Sequence, residues 1–240
     1  MEPSIVVNQV SKNFGKKEVL QKVSLNVQPG EIFGLIGPSG SGKTTLVKLI
    51  VGIDHPSAGE VRVMGTLIPN LSILQKIGYM AQADALYIDL TGKENLAFFA
   101  SLFHLKKTEQ EKRIAYAAEL VNLSGELKKK VQAYSGGMKR RLSLAVAIIQ
   151  DPDILILDEP TVGIDPELRQ SIWAELYRLK KAGKTILVTT HVMDEAEKCD
   201  RLGMIRDGRL ITSGSPAELK EQYGINGLEE VFLKEGGTSK

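Results

Sequence analysis

Cysteine, net charge and long apolar runs are all scarce in this chain of 240 residues. Cys199 is the only cysteine, which excludes an intrachain disulfide and suits a reducing compartment. A net charge of +2 supplies no strong field for nucleic acid or an anionic membrane. The longest apolar runs, such as LAVAII (Leu144–Ile149), fall far short of the roughly 18 residues a spanning helix needs. The opening MEPSIVVNQ has no basic stretch leading into an apolar one, so no signal peptide is expected. Repeats and low-complexity segments are missing as well, and the closing KEGGTSK (Lys234–Lys240) is expected to fray as a flexible tail. What remains is an ordinary globular composition, 42% apolar and 25% charged, long enough for one large domain or two small lobes.

The order of patterns points to an α/β fold. VSLNVQ (Val23–Gln28) alternates apolar and polar residues like a half-buried strand. EIFGLIG, ILILD (Ile154–Asp158) and KTILVTTH are short, nearly continuous apolar runs, as in buried parallel strands. Helix-start signals fall between them. TGKE (Thr91–Glu94), TEQE (Thr108–Glu111) and SPAE (Ser215–Glu218) fit the capping box. Asp165 followed by Pro166 predicts another helix start, and Asp207-Gly208 predicts a hairpin. The helical middle, about residues 84–150, is expected to stand as a separate lobe inserted in a mostly parallel core.

One stretch carries chemistry more than packing. Gly37–Thr44, GPSGSGKT, follows a buried strand and precedes a helix, and it matches G-x-x-x-x-G-K-[ST]. Gly37, Pro38, Ser39, Gly40, Ser41 and Gly42, with Lys43, Thr44 and Thr45 behind them, are the candidate phosphate cradle. Glycines let the backbone curl and aim several N–H groups at an anion, and the helix N-terminus favours negative charge. Lys43 is expected to reach the β- and γ-phosphates, and Thr44 to place its hydroxyl on Mg²⁺. A metal also needs a carboxylate. Asp158, at the end of a buried strand, is the candidate, with neighbouring Glu159 to take a proton from attacking water. Two carboxylates behind four apolar residues are costly unless a cation stands nearby.

With these motifs in this order, the chain resembles the nucleotide-binding subunit of an ATP-binding cassette (ABC) transporter, from Val6 to about Leu233. The resemblance implies a P-loop NTPase fold with an antiparallel β part near the N-terminus, ATP and Mg²⁺ as ligands, and one cassette over residues 1–233. Phe14 matches the aromatic residue that stacks on adenine, although by itself it reads equally well as a core residue. Gln82 matches the glutamine that meets Mg²⁺ and water and senses the membrane partner. Ser135, Gly136 and Gly137 match the signature, with Tyr134 and Met138 in place of its usual leucine and glutamine. Asp165 matches the loop that crosses between subunits, and His191 matches the histidine on the γ-phosphate. The family implies a head-to-tail dimer, homodimeric or with a similar subunit, at the cytoplasmic face of the membrane beside separate permease chains. YMAQADALYIDLTGKENL and GLEEVFL resemble the ABC-2-type exporters among them.

Other features read as structural. His55 reads as a turn residue, His104 as a helix-end residue without nearby ligands, and Cys199 as small and partly buried. His104–Lys107 and Leu127–Lys130 read as solvated faces, and Trp173 with Tyr177 as a packed pair. Two other functions share the nucleotide motifs: a soluble cassette ATPase that serves scaffold assembly, and a nucleic-acid or ribosome-acting cassette. The near-neutral charge and the lack of a long heptad run argue against the latter.

Overall fold

Alternating buried and exposed side chains fold the N-terminal stretch into two long antiparallel strands, β1 (Ile5–Phe14) and β2 (Lys17–Val27), with Ile5 opposite Val27. The computed structural model describes residues 2–236. β3 (Ile32–Ile36) is buried along its whole length and runs into a loop that ends at α1 (Lys43–Ile50). β4 (Ala58–Val63) and β5 (Thr66–Leu67) complete an antiparallel sheet in the order β2-β1-β4-β5. Residues up to Asn70 and those from Thr185 onward make one compact unit, and Leu71–Lys184 make a second.

The second unit contains β6 (Ile77–Met80), α2 (Gly92–Leu102), α3 (Lys107–Leu120), α4 (Gly136–Ala147), β7 (Ile154–Asp158) and α5 (Pro166–Lys181). β6 pairs in parallel with β7, Ile77 opposite Ile154 and Met80 opposite Leu157. The helices of residues 84–150 share this unit with those strands and α5. Thr91 and Glu94 form their capping box, and Asp165 caps α5 by accepting from the Leu168 amide. The box expected at Thr108–Glu111 does not form. α3 starts two residues earlier, with extended Lys106 as its cap, so Thr108 lies inside the first turn. Ile114, Ala117, Ala118 and Val121 are buried, as their spacing predicts. Trp173 and Tyr177 pack with ring centroids 6.1 Å apart.

The first unit closes with β8 (Thr185–Thr190), α6 (Met193–Ala196), β9 (Arg201–Arg206), β10 (Arg209–Gly214), α7 (Pro216–Tyr223) and α8 (Glu229–Gly236). β3 lies between β8 and β9, parallel to both, and β10 returns antiparallel through Asp207 and Gly208, both at positive φ. The Ser215–Glu218 capping box is present. Cys199 is buried rather than partly exposed: a Cβ on Gly34 of β3 would come within 2.8 Å of its sulfur. Burial pushes its thiol pKa up, so it is a core residue. The expected tail from Lys234 is partly corrected. Leu228 and Val231, both fully buried, anchor a helix that continues through Gly236, and residues 237–240 lie outside the described residues. Among the described residues no helix is long and apolar enough to cross a membrane.

Candidate functional site

In the first unit the site grows from the end of β3. Gly37 sits so close to β9 that a Cβ would approach the Ile205 carbonyl to 2.1 Å, so only glycine fits. Gly40 and Gly42 take φ of 80° and 109°, in the left-handed range that glycine adopts without cost. No atom lies within 4 Å of a Cβ placed on Gly40, which leaves room beside the backbone there. Gly42 then caps α1, whose first-turn N–H groups face the loop. The loop is held from behind: the Ser41 amide donates to Pro38 O at 3.2 Å, and the Gly208 amide to Ser41 O at 3.1 Å. Lys43, buried, folds its ammonium back to donate to Gly37 O at 2.7 Å and Pro38 O at 3.1 Å. Thr44 and Thr45 follow in the first turn, half-buried.

His191 joins this cluster. Ile36 pairs with Thr190, so β3 and β8 end side by side and their next residues are Gly37 and His191. Both line a cavity of about 450 Å³ with Pro38, Met193, Arg206 and Asp207. Thr190 holds the histidine turn, donating to Glu195 Oε2 at 2.8 Å and accepting from the Val192 amide at 3.0 Å. Phe14 stands beside the β1–β2 turn, 52% exposed. It is therefore no core residue. The Lys12 ammonium lies 4.9 Å from its ring centroid and donates to Asp54 at 2.6 Å.

The second unit brings the carboxylates and Gln82 together. Asp158 ends β7 fully buried, and Glu159 takes φ of 54°, a backbone state that costs a side-chain-bearing residue roughly 1–3 kcal/mol. Gln82 Nε2 donates to Glu159 Oε2 at 3.3 Å. Burial, with Asp158 adding to it, pushes the Tyr79 hydroxyl up to about 12. Arg140, in the second turn of α4, is buried against the same strand ends. Its guanidinium donates to Ala81 O at 2.7 Å, Gln82 O at 2.9 Å, Glu159 O at 2.7 Å and Asp158 O. The sequence analysis missed this residue. A signal was available: Arg140 falls four and seven residues before buried Leu144 and Ala147, on the face where periodicity calls for an apolar side chain.

Ser135 caps α4, accepting from the Met138 amide at 3.2 Å. Ser135 and Gly136 are exposed at the helix start, and a Cβ on Gly137 would lie 3.4 Å from Gly163 O, in the loop that leads to Asp165. Tyr134 is buried and its hydroxyl donates to Glu126 O at 2.8 Å, so the departure from leucine places a satisfied polar group in the core. The Asp165 carboxylate is engaged as the cap of α5.

A family model described as ABC transporter matches residues 20–162. Among curated relatives, the Nod factor export ATP-binding protein I of Burkholderia pseudomallei is 45% identical over 225 residues, covering 92% of this chain and 74% of the relative. Two solved structures superpose along most of the chain. One, of the ATP-binding subunit of an ABC transporter, gives a TM-score of 0.90 at 27% identity, covering 97% of this chain and 99% of that one. The other, a dimeric ATP-binding cassette in a post-hydrolysis state with ADP and Pi, gives 0.83 at 28%, covering 88% and 98%.

Proposed function

The chain belongs to the ABC transporter family of ATP-hydrolysing cassettes, and from that premise we propose that it powers export through a separate membrane-spanning partner. The observation that carries the ATPase chemistry is the loop Gly37–Thr44, with its left-handed glycines, its buried lysine and His191 on the same cavity. Export is supported by the name of the Burkholderia relative.

On this reading, the loop amides and the α1 N-terminus bind the phosphates, and Lys43 turns from its own loop carbonyls onto the β- and γ-phosphates. Phe14, exposed on one face and backed by Lys12, stacks on adenine. Glu159 accepts the proton of attacking water, Gln82 orients that water, and His191 donates to the γ-phosphate. The donors Thr44, Gln82 and Asp158 are all oxygen-bearing, which suits Mg²⁺, and buried Asp158 is a carboxylate that such a cation would stabilise. The ion would neutralise phosphate charge as the γ-phosphoryl group departs.

Ser135, Gly136, Gly137 and Asp165 have a different task on this reading. Exposed amides at the α4 start meet the ATP held by a second cassette, so two chains close head to tail around two nucleotides. The partner cassette is a second copy or a similar subunit. Closure is a population shift driven by ATP binding better to the closed dimer, and hydrolysis reverses it. The dimer sits at the cytoplasmic face of the membrane.

The test is a mild-detergent pull-down of the tagged chain from its own cells, with bound proteins identified by mass spectrometry. A stoichiometric multi-span membrane protein is expected. A scaffold protein or a ribosome in its place would leave the ATPase chemistry standing and sink the export reading.

A further inference from the structure

Arg140 plays no part in the roles above, yet its guanidinium lies against both ends of the catalytic pair. The carbonyls of Ala81, Gln82, Asp158 and Glu159 converge on one point, and convergent partial negative charges repel unless a multiple donor sits among them. Arginine alone among side chains offers five N–H donors in a rigid planar fork, so it can serve two strand ends at once. Here one nitrogen takes the β6 end and the other the β7 end. Asp84 anchors the fork from the other side, 3.8 Å from it, and is itself held by the Ser143 hydroxyl at 2.8 Å. The Glu159 carbonyl that Arg140 grips belongs to the residue at φ 54°, and the Gln82 carbonyl belongs to the residue whose amide meets the Glu159 carboxylate at 3.3 Å.

We propose that Arg140 is a positioning residue for hydrolysis: it fixes the strained Glu159 backbone against Gln82, and so holds the Glu159 carboxylate where the attacking water loses its proton. This inference rests on the ATPase reading above. Because Arg140 lies five residues beyond Ser135 in α4, it also makes the signature helix part of the frame around Glu159.

The test compares the purified full chain with Arg140→Met, Arg140→Lys, Asp84→Asn, Glu159→Gln and the double variant Arg140→Met/Glu159→Gln. Melting temperature, ATP affinity by calorimetry without Mg²⁺, and kcat and KM for phosphate release with Mg²⁺ are measured on each. Arg140→Met is expected to lower kcat roughly 10- to 100-fold, the scale of a displaced catalytic group, with ATP affinity within about threefold of the native chain. Arg140→Lys keeps the charge but not the fork, and should still lose about tenfold in kcat. In the double variant the Arg140 change should add less than about threefold to the loss from Glu159→Gln, because both remove the same placed carboxylate. A merely structural role would instead multiply the two losses. If Arg140→Met fails to fold, Arg140→Lys and the milder Asp84→Asn, expected to lose about two- to fivefold, decide the matter. Turnover within twofold of native in the folded Arg140 variants, or multiplicative losses in the double variant, would overturn the proposal. A native chain that binds ATP and releases no phosphate would overturn the ATPase reading itself, and the proposal with it.

Discussion

In the phosphate loop, the working groups are backbone amides and a lysine that donates to carbonyls five and six residues away. Around Glu159, the contacts that aim it span far more chain: 77 residues to Gln82 and 19 to Arg140. The first region is built largely by local conformation, since glycines open a left-handed path and a helix start supplies the donors, with the distant Gly208 amide only bracing Ser41 O from behind. The second is built by assembly, since two strand ends and one helix must meet before Glu159 has a defined direction. The difference teaches that, if the proposed roles hold, binding and hydrolysis rest on separate structural supports, so that each should break while the other stands.

The largest effect should come from Glu159→Gln, which removes the proposed base and leaves the loop intact. Turnover should fall by roughly 10²- to 10⁴-fold while ATP still binds. Phosphate release and calorimetric binding on one preparation check both halves, and normal turnover would remove Glu159 from the role. Lys43→Ala is the reciprocal break. Losing a charged donor to phosphate should weaken ATP binding by about 10- to 100-fold, with calorimetry as the readout. Gly37→Ala strikes the frame of the loop. Its methyl would meet the Ile205 carbonyl at 2.1 Å, so stability should fall by about 1–3 kcal/mol in urea titration, and ATP affinity should fall with it. The smallest contrast lies between two threonines in the second unit. Thr91→Ala should cost about 1 kcal/mol because Thr91 caps α2, whereas Thr108→Ala should change stability by less than about 0.5 kcal/mol because it caps nothing.

The same contrast explains what could be read early. Lys43, Thr44 and the loop glycines lie in one contiguous motif, so spacing exposes them. Asp158 and Glu159 were legible as charges stranded behind a buried strand. Their orientation was not, because φ at Glu159 and the reach of Gln82 depend on β6, β7 and α4 meeting. Arg140 stands among the cations of KRRL; its place on the apolar face of α4 was a weak signal, and its burial makes it plain. Phe14 was ambiguous between core and surface until its exposure settled the question. The capping boxes show the limit of local pattern. Thr91 and Ser215 satisfy theirs, while Thr108 has the same spacing but lies inside a helix that begins at Lys107.

By itself, then, the amino-acid sequence determined the α/β order of elements, the phosphate loop and the family, because each motif follows from spacing within a few turns of chain and the family from the order of such motifs along it. The tertiary structure decided how Glu159 is aimed, why α4 buries an arginine in its second turn, and where Cys199 and the last helix are anchored. Those depend on atoms far apart in sequence converging in space, and convergence is fixed by burial and hydrogen bonding across elements, which no local pattern encodes.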